Sequence, residues 1–249
     1  MPAPVNQNDA IRVDETPHRL VDRLWPARCL HCGEHGHAAR DLCIDCAAML
    51  PWNRSACLRC AMPLPRPLVL QDRAQVCGDC LQRPPPLTQA RAAFVYACPI
   101  DRLLPRFKFH GDLAAGRLLA QLATDVFAMC ERPDALVAVP LHCARLRTRG
   151  YDQALELARP LARALGIPLC RNALMRLRAT DPQSRLDAPQ RRRNVRGAFV
   201  AVAGAKALPA HVALVDDVMT TGATLHAAAN VLLRAGVERV DAWVCARVP

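Results

Sequence analysis

The sequence predicts an α/β protein with a parallel sheet, helices on both faces and a small metal-stapled module at the N-terminal end. Three observations carry this expectation. Apolar strand-like runs alternate with helical patterns from Arg91 onward. The run Val212-Ala213-Leu214-Val215 leads through Asp216-Asp217 into Thr220-Thr221-Gly222-Ala223-Thr224 and then a helical stretch stopped by Gly236. Eight of the thirteen cysteines fall in four C-x-x-C pairs between Cys29 and Cys80.

Length and composition bound the rest. The 249 residues leave room for one moderate domain and a small one. The 52% apolar content supports a real core, yet aromatics are only 4%, so Ala, Leu and Val must build it. That scarcity argues against a strong base-stacking platform. Net charge is +11, almost all of it from Arg, because Lys occurs only at Lys108 and Lys206. A basic balance favours anionic partners, phosphorylated small molecules or nucleic acid. No apolar run reaches the roughly 18 residues of a membrane span. A polar N-terminus carrying Asp9, Asp14 and Glu15 does not read as a secretory signal. The expectation is a cytoplasmic chain, where clustered thiols signal metal rather than disulfides.

Residues 1–18 read as a flexible tail, followed by helically spaced Leu20, Val21, Leu24 and Trp25. Residues 19–83 form the cysteine module. Cys29 and Cys32 are separated by ten residues from Cys43 and Cys46. Cys57 and Cys60 stand sixteen residues before Cys77 and Cys80. Each C-x-x-C puts two thiolates on one tight knuckle, and two knuckles complete a closed Cys₄ zinc site, so two structural zinc ions are expected. With all eight thiols ionised on two Zn²⁺, the net charge falls from +11 to about +7. Redox pairs are the plainer alternative. Ligand pairing also stays open, because Cys29, Cys32, His37 and Cys43 nearly match a zinc knuckle.

Pro84-Pro85-Pro86 reads as a stiff connector, which places the larger domain at 84–249. There, Arg91–Ala97 is a first strand. Asp112 is an N-cap for a helix whose buried stripe is Leu118, Leu119, Leu122, Val126 and Phe127. Ala135–Val139 is a second strand that runs into a basic loop with Arg145, Arg147 and Arg149. A helix from Ala154 to Leu165 contains Pro160, which should kink or break it. Leu174–Leu177 reads as a further strand. A long polar stretch with Arg185, Arg191, Arg192 and Arg193 follows, and its plain reading is a solvated charged helix. Val237–Val248 is the last strand.

At Asp216–Thr224 the order strand, acids, loop and helix suits a phosphate held by backbone N–H groups and a helix N-terminus. Gly222 permits close backbone approach. The acids cannot take the phosphate but can accept from vicinal hydroxyls, as on a ribose.

This stretch resembles the phosphoribosyl-pyrophosphate (PRPP) signature of type I phosphoribosyltransferases. From Cys29 to Val248 the layout resembles the ComF/GntX-like family, a double zinc ribbon followed by a type I phosphoribosyltransferase domain. The shared features are the paired cysteines, Pro84-Pro85, Phe107-Lys108-Phe109, Val139-Pro140-Leu141, Arg192-Arg193-Asn194-Val195, Gly197-Ala198-Phe199 and the PRPP loop. The resemblance implies that Asp216 and Asp217 hold ribose as catalytic residues. It implies that Val218, Met219, Thr220, Thr221, Gly222, Ala223 and Thr224, with Arg145 and Lys108, bind PRPP. It implies a mobile flap that carries Arg185, Arg191, Arg192 and Arg193, Mg²⁺ accompanying PRPP, and pentosyl transfer to an undefined acceptor. It links the chain to competence and DNA uptake, with single-stranded DNA, competence proteins and a second copy of the chain as candidate partners. A non-catalytic single-stranded-DNA accessory and a PRPP sensor are the competing readings. A glutamine amidotransferase is not expected, because no cysteine opens the sequence.

Overall fold

The computed structural model describes residues 26–38, 40–65, 75–178, 195, 197–202 and 208–249. Two short helices, α1 (Ile44–Ala48) and α2 (Gly78–Gln82), each follow a cysteine that serves as the N-cap. The α/β part then runs β1 (Ala90–Val95), α3 (Ile100–His110), α4 (Leu113–Phe127), β2 (Ala135–Ala138), α5 (Cys143–Arg149), α6 (Gln153–Leu165), β3 (Leu174–Arg176), β4 (Phe199–Ala201), β5 (His211–Met219), α7 (Ala223–Arg234) and β6 (Arg239–Arg247).

Four strands make one parallel sheet in the order β1-β6-β5-β2. Pleating divides the central strands between two cores. Ala213 and Val215 of β5, with Trp243 and Cys245 of β6, face α4 and α6. Trp243 stacks on Phe127 with ring centroids 4.9 Å apart. Val212 and Leu214, with Ala242 and Val244, face α7. Helices therefore cover both faces, the arrangement of an α/β fold of the type I phosphoribosyltransferase class.

Several elements differ from the sequence expectation. β3 and β4 form a separate antiparallel pair, Leu174 opposite Ala201, rather than joining the main sheet. The stretch before Asp112 is itself helix α3, with Pro105 inside it. Pro160 does not end α6, which runs unbroken to Leu165. Its burial against the sheet, through Leu157, Ala158 and Leu161, outweighs one missing backbone hydrogen bond. The basic loop after β2 holds helix α5, because His142 Nδ1 accepts from the Ala144 N–H and Gly150 closes the helix at φ 80°. Asp112 caps α4 as expected, accepting from the Ala115 N–H at 3.0 Å.

The cysteine module is welded to the sheet. Cys29, Leu42, Cys43, Cys46 and Leu50 belong to the same buried cluster as Phe107 and Trp243. Asn53 N–H donates to the Ala93 carbonyl, Ala90 N–H to that of Leu58, and Trp52 packs on Phe94 at 4.7 Å. No helix among the described residues is long and apolar enough to cross a membrane.

Candidate functional site

Strand β5 does not stop before the acids; it runs through both to Met219. The pleat slips there. Val215 and Val218, three residues apart, pack on the same core, while Leu214 and Met219 pack on the other. Local carboxylates act at the same place. Asp217 N–H donates to Asp216 Oδ1 at 2.9 Å, and Val218 N–H donates to Asp217 Oδ1 at 2.7 Å. The two acids thus take two backbone N–H groups at the strand end, while the ladder to β6 keeps its register.

Asp217 is only 5% exposed. Its Oδ2 lies 2.7 Å from Lys108 Nζ, which α3 brings across the end of the sheet. Burial works against the Lys108 ammonium, but the Asp217 carboxylate outweighs it and holds the pKa above the ordinary lysine value. Asp216 has no such direct partner among the described ion pairs. Burial, then the Asp217 charge, pushes its carboxyl up to about 7. One acid is therefore neutralised by a cation, while its neighbour is poised near neutrality.

Beyond them lies a shallow concavity that is open to solvent. Asp216, Val218, Met219, Thr220, Gly222, Ala223, Thr224 and Leu225 line it. Gly222 sits at φ 74°, the left-handed region, and a Cβ there would lie 2.7 Å from Met219 Cε and 2.8 Å from His226 Nε2. Gly222 also caps the twelve-residue helix α7 without a side-chain hydrogen bond. Helix α7 thus directs its first-turn amides and the positive end of its dipole toward the loop. Thr221 Oγ1 accepts from the Ala223 N–H at 3.4 Å. Such a cradle of amides and hydroxyls fits a phosphate, and the adjoining acids fit hydroxyl donors.

The loop after β2 is anchored by Asp152. Asp152 Oδ2 accepts from the Leu141 N–H at 2.8 Å while its Oδ1 caps α6 through the Leu155 N–H. Arg145 lies close enough that its charge, after burial, lowers the Arg176 pKa, and Asp216 and Asp152 act on the same guanidinium in the opposite sense. Arg176 therefore stands in the field of both Arg145 and the acids. Arg149 donates to Gln153 Oε1 at 3.0 Å and lies over the Phe109 ring, next to Lys108 in the chain. The site is also tied to the cysteine module. Arg247, 5% exposed, donates from Nε to the Cys60 carbonyl at 2.9 Å and from NH1 to the Met219 carbonyl at 3.2 Å. The sequence reading gave Asp152, Arg176 and Arg247 no role in the site: it placed Asp152 at the start of a helix and the two arginines within strands. Only Asp152, directly before a helical run, carried a local signal. Arg185, Arg191, Arg192 and Arg193 lie outside the described residues.

The cysteines gather as two tetrads in sequential pairing, Cys29/Cys32/Cys43/Cys46 and Cys57/Cys60/Cys77/Cys80. Within each, the four Sγ atoms lie within 4.8 Å of one another. Cys32 and Cys43 are 3.6 Å apart, Cys60 and Cys77 3.7 Å. Tetrahedral Zn–S bonds of about 2.3 Å give an S···S edge of about 3.8 Å, so both tetrads fit a structural zinc ion. His37 stands exposed outside the first set, which resolves the pairing in favour of four thiols.

Fold and site together define an α/β protein of the type I phosphoribosyltransferase fold, stapled by two cysteine tetrads. The family described as Double zinc ribbon domain matches residues 20–85. The chain is 35% identical over 228 residues to Competence protein F of Haemophilus influenzae, covering 88% of this chain and 96% of that one. It is 34% identical over 212 residues to the DNA utilization protein YhgH of Salmonella typhimurium, covering 83% and 90%. Competence protein ComFC of Bacillus subtilis is 30% identical over 152 residues, 60% of each chain. The chain belongs to the ComF/GntX-like family.

Proposed function

We propose that this chain binds PRPP and transfers its phosphoribosyl group to an acceptor within competence and DNA uptake or processing, in the cytoplasm. The observation that carries the reading is that one concavity is lined by Asp216 together with Thr220, Gly222, Ala223 and Thr224. A sugar hydroxyl and a phosphate held there would stand as neighbours, as they do on a ribose 5-phosphate. Asp216 and Asp217 are assigned to the ribose hydroxyls, and Asp217 is held in place by Lys108. Residues 218–224 are assigned to the 5-phosphate. Arg145 and the loop that Asp152 anchors are assigned to pyrophosphate. The C1–oxygen bond to pyrophosphate breaks, its electron pair leaving on the pyrophosphate oxygen, as the acceptor nucleophile bonds to C1 and gives its proton to solvent water. Cationic side chains favour the charge that develops on the departing pyrophosphate. Mg²⁺, brought with PRPP, would neutralise part of the same charge. The domain division at residues 83 and 84 belongs to this reading, with the cysteine module as scaffold.

Titration calorimetry with PRPP and Mg²⁺ tests it, on wild type and on the Asp216→Asn/Asp217→Asn variant. Heat from wild type that vanishes in the variant is expected. Equal binding by both, or none by wild type, ends the assignment.

A second reading rests on the relatives' names, competence protein and DNA utilization protein. In it the fold is kept for holding single-stranded DNA, without transfer. Salt-dependent DNA binding that disappears when Arg191, Arg192 and Arg193 become Ala, from a chain that does not take PRPP, would favour it.

A further inference from the structure

Phe107, Lys108 and Phe109 are consecutive on α3, and each meets a different environment. Phe107 is fully buried, 5.6 Å from the Tyr151 ring. Lys108 reaches Asp217. Phe109 is 63% exposed, the one exposed aromatic ring among the described residues. In a chain with so few aromatics, that ring stands beside the cation that holds the ribose acid. Apolar burial cannot explain it, because water covers most of its surface.

The ring is also fixed. The Arg149 guanidinium lies over it, 5.3 Å from the centroid. Arg149 is itself held by Gln153, which is buried and belongs to α6. Arg149 sits near Lys108 too, since its charge acts on that ammonium. A positioned cation thus lies over the Phe109 ring, while 63% of the residue remains exposed to water. A flat apolar surface beside a guanidinium group is what a base and its backbone phosphate require together.

We propose that Phe109 and Arg149 form a nucleobase platform at the acceptor side of the site, which takes a base of a single-stranded nucleic acid. The base stacks on the exposed ring of Phe109, and Arg149 meets the adjoining phosphate. The platform relies on the PRPP reading only for its meaning as the acceptor side. Its existence as a nucleobase site stands on its own geometry.

The test uses the full chain and a short oligothymidine carrying one 2-aminopurine, whose fluorescence is quenched on stacking. Wild type, Phe109→Ala and Phe109→Trp are titrated with the oligomer, with free 2-aminopurine riboside, and separately with PRPP and Mg²⁺. Phe109→Ala is expected to weaken oligomer binding about 5- to 150-fold, the range for loss of one aromatic stack. Phe109→Trp should retain both binding and quenching, and PRPP affinity should be the same in all three. Riboside binding as tight as the oligomer's, and equally dependent on Phe109, keeps the platform and names a free base as ligand. Oligomer binding unchanged in Phe109→Ala overturns the platform. So does the absence of quenching with wild type, or a Phe109→Trp variant that binds no better than the alanine variant. A wild type that quenches the oligomer but ignores PRPP would sink the transferase reading and leave the platform intact.

Discussion

Replacing Lys108 by Met removes a charge but little volume, so it isolates the ion pair with Asp217. The Nζ–Oδ2 distance is 2.7 Å, and the Lys108 side chain is 29% exposed against 7% for Asp217. Breaking one side of a buried pair costs about 3–5 kcal/mol, because the remaining charge is stranded in a poor solvent. Partial exposure of Lys108 puts this case at the low end, about 3 kcal/mol. For a chain of this size each kcal/mol moves the melting temperature by about 2–4 °C, so a fall of about 6–12 °C follows. Asp217→Asn strands the lysine instead and should destabilise by a similar route. The double variant strands neither charge. Its loss should therefore be smaller than the sum of the single losses by about 1–3 kcal/mol. Thermal melts of the four proteins at matched zinc content, followed by circular dichroism, measure the cycle. Additive single effects would refute the coupling, and with it the idea that Lys108 orients the acid.

Gly222→Ala forces a side chain into the left-handed region and into Met219 and His226. It is expected to cost about 1–2 kcal/mol of stability and to lower PRPP affinity, read by melts and calorimetry on the same preparation. Asp216 binds its proton more tightly folded than unfolded, since its pKa rises from an ordinary 3.8 to about 7. Its contribution to stability should therefore fall as pH rises between those two values, and Asp216→Asn should flatten the slope in denaturant titrations across that range. Ligand binding that needs the Asp216 carboxylate should strengthen as pH rises through about 7. Metal analysis should find two zinc ions per chain, and a strong chelator should lower the melting temperature. Arg247→Met should loosen the loop without removing a metal ligand, so PRPP affinity falls while zinc content stays at two.

The readable parts of this chain were those whose chemistry is local. A C-x-x-C pair contains its own knuckle, so both tetrads could be named before any tertiary information. The loop from Thr220 to Thr224 was equally plain, because its glycine and its following helix lie within a few residues. The strand boundary at the acids was missed for a related reason. Hydropathy marks Asp216 and Asp217 as an end, but the ladder to β6 continues through Asp216, Val218 and Met219. Lys108 was named only through a resemblance, since over a hundred residues separate it from Asp217 and no spacing rule connects them. Arg247 gave no signal at all. A charged residue near a terminus reads as solvent-exposed, yet here three carbonyls surround it.

Those carbonyls explain why the cysteine module is more than a neighbour of the site. Cys60 contributes both a thiol to the second tetrad and the carbonyl that takes Arg247 Nε. The same guanidinium holds the carbonyl of Met219, the residue directly before Thr220, and Val248 N–H holds it again. Ala61, beside Cys60, is fully buried in the core that also contains Met219 and Leu225. A metal that fixes the Cys57–Cys60 knuckle therefore fixes one end of a rigid span whose other end is the start of the loop. Metal binding free energy in such a tetrad is folding free energy. Where the knuckle and the strand end share a buried arginine, that energy also narrows the conformations open to the loop, which is what the proposed anion cradle requires.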